Sequence, residues 1–164
     1  GSYVFLWGHK QETTPTWYGL FLEDGTETAV MDVLEEGWSG KLPENQSPTI
    51  KSITIDGKGR YESVRLRPGR EYNLQTAVTD PDNDSLVFRW EMLPESTDIK
   101  SGGDAESKPE PVKFKRKESS SQNQLVFVTP AREGAYRLFV YIYDGNGNAA
   151  TANIPFYVEN EPDN

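Results

Sequence analysis

The sequence predicts a mainly β protein, a β-sandwich preceded by a short N-terminal arm, and three observations support this. Aromatic residues make up 12% of the 164-residue chain, which also has 14 Gly and 11 Pro. This composition is typical of short strands joined by many turns. From Pro48 onward, short runs of alternating apolar residues recur at the spacing expected of a sandwich. That part of the chain also shows no helical periodicity.

The sandwich is expected to span residues 48–158 and to contain about seven or eight strands. Alternation is strictest from Tyr72 to Val78, and on the next strand Trp90 alternates with Leu86 and Phe88. Sandwich cores commonly hold one Trp on this strand, so we expect Trp90 to face the core. The remaining strands are expected at residues 50–55, 64–66, 125–128, 136–143 and 149–158, with a short additional strand at 112–114. This pattern predicts an immunoglobulin/cadherin-like sandwich.

Residues 1–42 form the arm, for which the pattern predicts strand, loop, short strand and helix. Tyr3 to Gly8 is an apolar run typical of a strand buried on both faces, and a second apolar run extends from Trp17 to Leu22. A short helix ending at Gly37 or Gly40 is predicted by four apolar residues on one face, Val30, Val33, Leu34 and Trp38. So short a segment cannot bury these side chains alone. We therefore expect the arm to fold onto the sandwich or to mediate self-association.

Short polar segments flank the sandwich. Residues 43–47 are predicted to be a linker, and residues 159–164 a tail. Gly1 is typical of the residue that tag cleavage leaves behind, which predicts that the chain is a piece of a longer protein.

Charge and motifs exclude several function classes. The formal net charge is −9, which repels phosphate backbones and anionic lipid, so neither nucleic acid nor a membrane is an expected partner. The chain has no Cys, which excludes disulfides and thiolate chemistry. It contains no Gly-rich phosphate loop, nucleophile elbow or zinc-protease motif, so no catalytic residue is predicted.

Two turns rich in Asp and Asn are the strongest candidate for a binding site. Asp80, Asp82 and Asp84 follow one strand and Asp144 follows another, and in an immunoglobulin-like sandwich both turns lie at the same end. Carboxylates at alternate positions in a turn can converge on Ca²⁺, which takes about six to eight oxygen ligands. Alternatively, Asp and Asn are simply common turn residues, since their side chains bond their own backbone. The sequence leaves both interpretations open and predicts no other cofactor.

A row of aromatic residues is a second candidate. Phe139, Tyr141 and Tyr143 alternate against the core-facing residues of one strand. An exposed row of this kind could stack on the apolar faces of sugar rings. More often such a row lies under a neighbouring strand or domain.

The N-terminal residues resemble a known family. The runs 5–12 and 14–21 are similar to the end of a TIM-barrel glycoside hydrolase, and more narrowly to the glycosyl hydrolase family 2-like barrel proteins of Bacteroidetes bacteria. The stretches 80–91, 93–98 and 143–148 resemble the PKD-type and cadherin-like immunoglobulin modules that follow such barrels. The resemblance implies that the arm is the last strand, loop and helix of a barrel. It also implies that Trp7 stacks on sugar, in the parent enzyme only.

The resemblance also implies a function. The catalytic carboxylates of such barrels lie on earlier strands, so this chain is not expected to be an enzyme. We expect a non-catalytic accessory module of a periplasmic or extracellular carbohydrate-active enzyme, acting as spacer or support, with its own upstream barrel as partner. The alternative is a carbohydrate-binding module that engages polysaccharide through exposed aromatic residues.

Overall fold

The computed structural model describes residues 3–118 and 122–160. Gly1 and residues 161–164 of the predicted tail lie outside the described residues. One helix and ten strands occur in the described part of the chain. In order they are β1 (Glu27–Thr28), α1 (Ala29–Ser39), β2 (Thr49–Ile55), β3 (Lys58–Gly59), β4 (Arg65–Leu66), β5 (Glu71–Thr79), β6 (Val87–Pro94), β7 (Arg116–Glu118), β8 (Gln124–Val128), β9 (Gly134–Tyr143) and β10 (Asn148–Val158).

The strands form two sheets that pack face to face. One sheet has the order β3-β2-β5-β8-β7. The other has the order β1-β10-β9-β6, and β4 also pairs with β10. The strands β2, β5, β8 and β7 correspond to A, B, E and D of an immunoglobulin constant-type sandwich, and β6, β9 and β10 correspond to C, F and G. The predicted fold class, a mainly β immunoglobulin-like sandwich, is confirmed.

The main core fills the space between the two sheets, and strand alternation explains which side chains enter it. Leu138 and Ile142 on β9 are fully buried there. Phe127 on β8 is also fully buried, and its ring centroid lies 6.0 Å from that of Phe156 in the opposite sheet. Trp90 is 8% exposed within the same cluster. The sequence therefore predicted the core position of Trp90 correctly.

The arm folds onto the outer face of the sheet that contains β6, β9 and β10. Leu22 is buried there against Leu93, Phe139 and Tyr141, in a cluster separate from the main core. This is one of the two arrangements expected for the arm. Burial of Leu22 provides a hydrophobic contact between the arm and the sandwich.

Backbone hydrogen bonds complete the docking of the arm. A tight turn follows Leu22, whose carbonyl accepts a hydrogen bond from Gly25 N at 3.0 Å. Gly25 has a φ of 86°, which glycine adopts without steric cost. The chain then enters β1, which pairs in parallel with the start of β10, with Glu27 opposite Asn148. The arm thereby adds a short strand to the edge of the sheet.

The strand predicted at Tyr3 to Gly8 is absent, which corrects the expectation of a strand buried on both faces. None of the described residues pairs with this run as a strand neighbour. Phe5 and Trp7 are 78% and 61% exposed. A strand needs a neighbour to satisfy its backbone groups, and the sandwich edge nearest the arm is already used by β1. The apolar run is therefore left as an irregular, exposed segment.

The predicted helix is present as α1, but its apolar face is not covered. It ends at Gly40, which has a φ of 75° and donates its N–H to Glu36 O at 2.8 Å. Val33 and Trp38 on the predicted apolar face are 65% and 61% exposed. The periodicity was therefore informative about the helix but not about its partner. No helix in the described residues is long and apolar enough to cross a membrane.

The short strand predicted at residues 112–114 is displaced along the chain to β7. Val112 N instead donates a single hydrogen bond to Met92 O at 2.8 Å. The ring of Phe114 packs edge-on against Phe127, with centroids 6.4 Å apart. The apolar pattern at 112–114 thus reflects burial against the core rather than strand pairing.

Candidate functional site

The two Asp- and Asn-rich turns lie together at one end of the sandwich, as the strand order requires. The first turn connects β5 to β6 and the second connects β9 to β10. Asn146 of the second turn donates its Nδ2 to Asp84 Oδ2 of the first at 2.8 Å. The sequence prediction that the turns meet is therefore correct.

The Asp80 side chain organises the first turn by accepting hydrogen bonds from the backbone of the residues that follow it. Its Oδ1 accepts hydrogen bonds from Asp82 N at 3.0 Å and Asp84 N at 2.9 Å. Asn83, between these two residues, has a φ of 60°, a conformation that Asn tolerates better than most residues. These contacts are the turn chemistry that the sequence offered as one of two interpretations.

Asp144 has the same role in the second turn and lies outside the acidic group. Its Oδ1 accepts hydrogen bonds from Asn146 N at 2.7 Å and Asn148 N at 3.0 Å. Its Oδ2 accepts one from Asn45 Nδ2 at 2.7 Å, and the residue is only 4% exposed. Asp144 therefore serves as a buried acceptor for three donors. The predicted four-residue ligand set is reduced to three residues.

Asp80, Asp82 and Asp84 are brought together as predicted. Each offers a carboxylate oxygen within 4.8 Å of those of the other two. Asp80 Oδ2 is buried and has no hydrogen-bond partner among the described residues. These three residues could supply part of the oxygen shell that Ca²⁺ needs. The calcium interpretation thus remains a prediction with these three ligands.

The linker at residues 43–47 is held by hydrogen bonds of its last three residues. Ser47 N donates to Asp32 Oδ2 on α1 at 2.8 Å, and Gln46 N donates to Asp82 Oδ2 at 2.7 Å. Asn148 Nδ2 donates to Asn45 O at 3.1 Å. The polar composition predicted a linker, and the structure shows that its polar groups fix it between the helix and the two turns.

We expect Asp80→Ala to lower the free energy of unfolding by about 1–2 kcal/mol, because two backbone N–H groups lose their acceptor. Urea denaturation of the variant and the wild type measures this difference. The control is Asp104→Ala, at an exposed loop residue, for which the change should stay within about 0.5 kcal/mol. Equal effects of the two substitutions would contradict the role of Asp80.

A calcium titration separates the two interpretations of the turn. If the turn contacts account for the acidic residues, millimolar Ca²⁺ leaves Tm unchanged. A rise in Tm that Asp82→Asn abolishes would instead establish a cation site, since a ligand that binds only the folded state stabilises it.

The predicted aromatic row is largely covered by the arm. Phe139 and Tyr141 are 1% and 9% exposed, and their rings stack with centroids 6.3 Å apart. Tyr143 is partly buried. An open sugar-stacking platform is therefore not formed by this row, and the more common arrangement, burial under a neighbouring segment, is observed. Trp7 lies apart, with its ring edge-on to Phe21 of the arm at 5.5 Å.

The docked arm leaves a pocket of about 260 Å³ against the sheet, here called the arm–sheet pocket. The arm contributes Pro15, Leu22, Glu23 and Asp24 to its lining, strands β6 and β9 contribute Arg89, Glu91, Tyr141 and Tyr143, and the loop after β6 contributes Lys108. The sequence could not predict this pocket, because its residues are far apart along the chain.

Polar contacts link the walls of the arm–sheet pocket. Lys108 Nζ lies 3.0 Å from Glu91 Oε1 on β6 and 3.4 Å from Glu23 Oε2 on the arm. Tyr141 OH donates to Glu91 Oε2 at 3.0 Å, and burial followed by the negative charge of Glu91 raises the pKa of Tyr141 above its usual value. The pocket therefore has fixed, mutually paired side chains.

Tyr143 and Asp24 connect the sheet to the arm at the same pocket. Tyr143 OH donates to Asp24 Oδ2 at 3.0 Å. Burial and this hydrogen bond raise the pKa of Tyr143. Burial also acts to raise the pKa of Asp24, but the hydrogen bonds from Thr26 and Tyr143 and the charge of Arg89 outweigh it, so that pKa lies below its usual 3.8. The carboxylate form of Asp24 is thus the form that the docked arm favours.

Acid should weaken contacts of the arm and of the loop after β6. A hydrogen bond from Ser107 N lowers the pKa of Asp98. Hydrogen bonds from Lys100 N and Thr13 N lower the pKa of Glu106. The pKa of Asp24 is also lowered, as described above. A carboxyl group with a lowered pKa stabilises the folded state above its unfolded pKa, and this contribution is lost as the pH falls through the folded pKa. We therefore expect the contribution to be complete at neutral pH and to be lost below about pH 4.

The amide shifts of Thr26, Thr13 and Ser107 report this transition, because these N–H groups bond Asp24, Glu106 and Asp98 respectively. Each shift should titrate with a midpoint below the usual pKa of its carboxyl group. Asp24→Asn should remove the transition at Thr26 alone. Midpoints at or above the usual values would contradict the prediction.

A second concave surface of about 520 Å³ lies elsewhere on the sandwich, between the loop before β4 and the strands β9 and β10. Tyr61 and Tyr157 in its lining are 86% and 45% exposed. The Arg60 guanidinium carbon lies 4.9 Å from the centre of the Tyr61 ring. No pattern in the sequence indicates this groove, here called the Tyr61 groove.

No protein-family model matches the chain, and the comparison with curated proteins gives no match. Solved structures of low identity do match. PcoC, a methionine-rich copper resistance protein from Escherichia coli, has 18% identity and a TM-score of 0.39, with 69% of this chain and 99% of that chain covered. A nucleoside hydrolase-related protein from Saccharophagus degradans, associated with carbohydrate metabolism, has 18% identity and a TM-score of 0.46.

The Saccharophagus match covers 80% of this chain but 31% of that chain. The Lin-41 filamin domain has 14% identity and a TM-score of 0.39, with 70% of this chain and 98% of that chain covered. At these identities and scores, the likenesses carry no argument about activity or partners. The fold assignment rests on the strand order described above.

Proposed function

We propose that this chain is a non-catalytic accessory module of a periplasmic or extracellular carbohydrate-active enzyme, and that it supports a neighbouring catalytic domain through its arm. One observation carries the proposal. Of the 12 large hydrophobic residues exposed in the described part of the chain, eight belong to residues 3–42, namely Tyr3, Phe5, Trp7, Tyr18, Val30, Val33, Trp38 and Leu42.

This concentration of apolar side chains is typical of a surface that contacts another protein domain. Single exposed hydrophobic residues are normal on any protein, whereas a concentrated group of them marks an interaction surface. An amphipathic helix likewise normally buries its apolar face, and α1 has no buried residue. The sandwich buries its apolar side chains in its own core, whereas many apolar side chains of the arm stay exposed.

The nature of the neighbouring domain is proposed from the sequence. Residues 5–12 and 14–21 resemble the end of a glycoside hydrolase barrel, so the neighbour is proposed to be that catalytic barrel. Glycosidases generally use a pair of carboxylates about 5–9.5 Å apart across the scissile bond. In this proposal the pair belongs to the neighbour, and the module supplies support or spacing.

Hydrogen exchange tests the proposed interface. The chain is expressed alone and joined to the polypeptide that its gene encodes upstream. Amides of residues 3–18 and 29–42 should exchange at least about tenfold more slowly in the longer protein, because burial suppresses local opening. Amides of residues 71–79 should not change. Equal exchange of the arm in both proteins, or an upstream reading frame without a further domain, would contradict the proposal.

Matched variants sharpen this test in the longer protein. Trp38→Asp, on the exposed face of α1, should restore fast exchange of the arm. Tyr61→Asp, at an exposed aromatic residue of the sandwich, should leave it slow. Assays with aryl glycosides should show hydrolysis by the longer protein and none by the chain alone, and hydrolysis by the chain alone would overturn its non-catalytic assignment.

A further inference from the structure

The arm–sheet pocket brings charged and hydroxyl-bearing side chains of the arm, the sheet and the loop after β6 together. We propose that it binds a single neutral sugar ring. This goes beyond the proposed supporting function and does not depend on it, since the pocket lies between the arm and the sandwich of this chain.

The pocket is assembled from segments that are distant in sequence. Asp24 comes from the arm, Arg89 from β6, Lys108 from the following loop and Tyr143 from β9. Ligand sites are typically concave, with a few polar groups converging on an otherwise apolar lining. Docking of Leu22 fixes the arm beside the sheet and so brings these polar groups together.

The size of the pocket limits the occupant. Its volume of about 260 Å³ is slightly below the range of roughly 300–1,000 Å³ found for sites of drug-sized ligands. Water occupies about 30 Å³ per molecule in the liquid, so the pocket is comparable to a small group of water molecules. One six-membered ring with its hydroxyl groups is of this size, and a longer oligosaccharide would have to extend into solvent.

The lining selects for a neutral ligand rich in hydroxyl groups. Arg89 and Lys108 are donors without acceptor capacity, whereas Asp24 and its acidic neighbours are acceptors when ionised. A sugar hydroxyl can donate to the carboxylates and accept from the cations at the same time. Tyr143 also lines the pocket, and its hydroxyl group adds a further polar atom there.

The same lining disfavours the other common ligands. A phosphate or other anion would face the carboxylates of Glu23, Asp24 and Glu91, and a divalent cation would face Arg89 and Lys108. Each of these ligands would therefore meet like charges inside the pocket, and this repulsion weakens its binding. An apolar ligand would remove these charged groups from solvent, which is costly.

The polar groups are also held in place before a ligand arrives. Lys108 bridges Glu91 and Glu23 across the pocket, and Tyr143 OH bonds Asp24. Fixing side chains in advance lowers the entropic cost of binding. Each carboxylate oxygen can accept more than one hydrogen bond, so these internal pairs still leave acceptor positions for hydroxyl groups.

Saturation-transfer NMR with methyl glycosides of neutral hexoses at millimolar concentration tests the proposal. We expect transfer from the protein to at least one glycoside, and Arg89→Ala should weaken its binding at least fivefold. Arg60→Ala, in the Tyr61 groove, is the matched control and should leave binding unchanged. Tm measured for both variants confirms that they fold. Because Arg89→Ala could also loosen the arm, Glu91→Gln, at a residue that contacts Lys108 and Tyr141, provides a second variant with the same expected direction.

Three results would overturn the inference. The first is the absence of transfer to every neutral glycoside tested. The second is transfer that Arg60→Ala abolishes and Arg89→Ala does not, which would place sugar binding in the Tyr61 groove. The third is displacement of the glycoside by inorganic phosphate at equal concentration, which would show an anion site. None of these results bears on the hydrogen-exchange test of the arm in the longer protein.

Discussion

Replacing Phe127 by alanine should lower the free energy of unfolding of the sandwich by about 3–5 kcal/mol. Phe127 is fully buried at the centre of the main core. Its ring lies 6.3, 6.4 and 6.0 Å from the rings of Tyr72, Phe114 and Phe156. These neighbours belong to different segments that hold one another in position, so the site cannot collapse to fill the cavity. The substitution thus loses both the transfer of the ring from water and its packing contacts.

Urea denaturation followed by Trp fluorescence measures this loss. The control is Phe5→Ala, which removes the same atoms from a residue that is 78% exposed and should change the free energy of unfolding by no more than about 0.5 kcal/mol. A comparable loss in both variants would mean that Phe127 is not the centre of the core.

The second large effect is expected for Leu22→Ala, which should weaken docking of the arm by about 2–4 kcal/mol. Leu22 is 5% exposed and contacts a cluster on the outer face of the sheet, not the main core. The loss should therefore appear as local opening of the arm, with the sandwich still folded. Opening would also expose Phe139 and Tyr141, which the arm covers.

Limited proteolysis with mass spectrometry detects this opening as faster cleavage within residues 10–30, while residues 71–158 resist. The control is Leu42→Ala, at a residue of the arm that is 54% exposed, and its cleavage pattern should match the wild type. Simultaneous cleavage throughout the sandwich would show instead that the arm and the sandwich unfold as one unit.

Alternation predicted the sandwich well because it reports a property local to each strand. On β9 it separated Leu138 and Ile142, which face the main core, from Phe139 and Tyr141 on the other face. It could not show that this other face is also buried. That burial depends on Leu22, more than one hundred residues earlier in the chain, and a periodic pattern carries no information about such a distant contact.

The arm was predicted less well for the same reason. The helix was recognised because its period and Gly40 are local features, and its end at Gly40 agrees with the αL conformation there. The run from Tyr3 to Gly8 is apolar enough for a buried strand, but a strand also requires a neighbour. Composition alone does not show whether such a neighbour exists. In the described chain there is none, and the predicted strand does not form.

The candidate sites also differ in how far the sequence could predict them. Asp80, Asp82 and Asp84 lie in one turn, so their convergence could be predicted from spacing, and the strand order placed the Asp144 turn beside them. The exclusion of Asp144 from the group could not be predicted, because Asn45 in the linker occupies its Oδ2. The arm–sheet pocket left no signal in the sequence, since Asp24, Arg89 and Lys108 belong to no common motif.

The parallel pairing of β4 with β10 has a mechanical consequence. Tyr157 N donates to Val64 O at 2.9 Å and Glu159 N donates to Leu66 O at 3.0 Å. When tension pulls the start of β4 and the end of β10 in opposite directions, both bonds are sheared at once and cannot open one after the other. Resistance to such traction is set by the unfolding barrier and not by the equilibrium free energy. Tension that reaches these two strands would therefore break the pair in a single step.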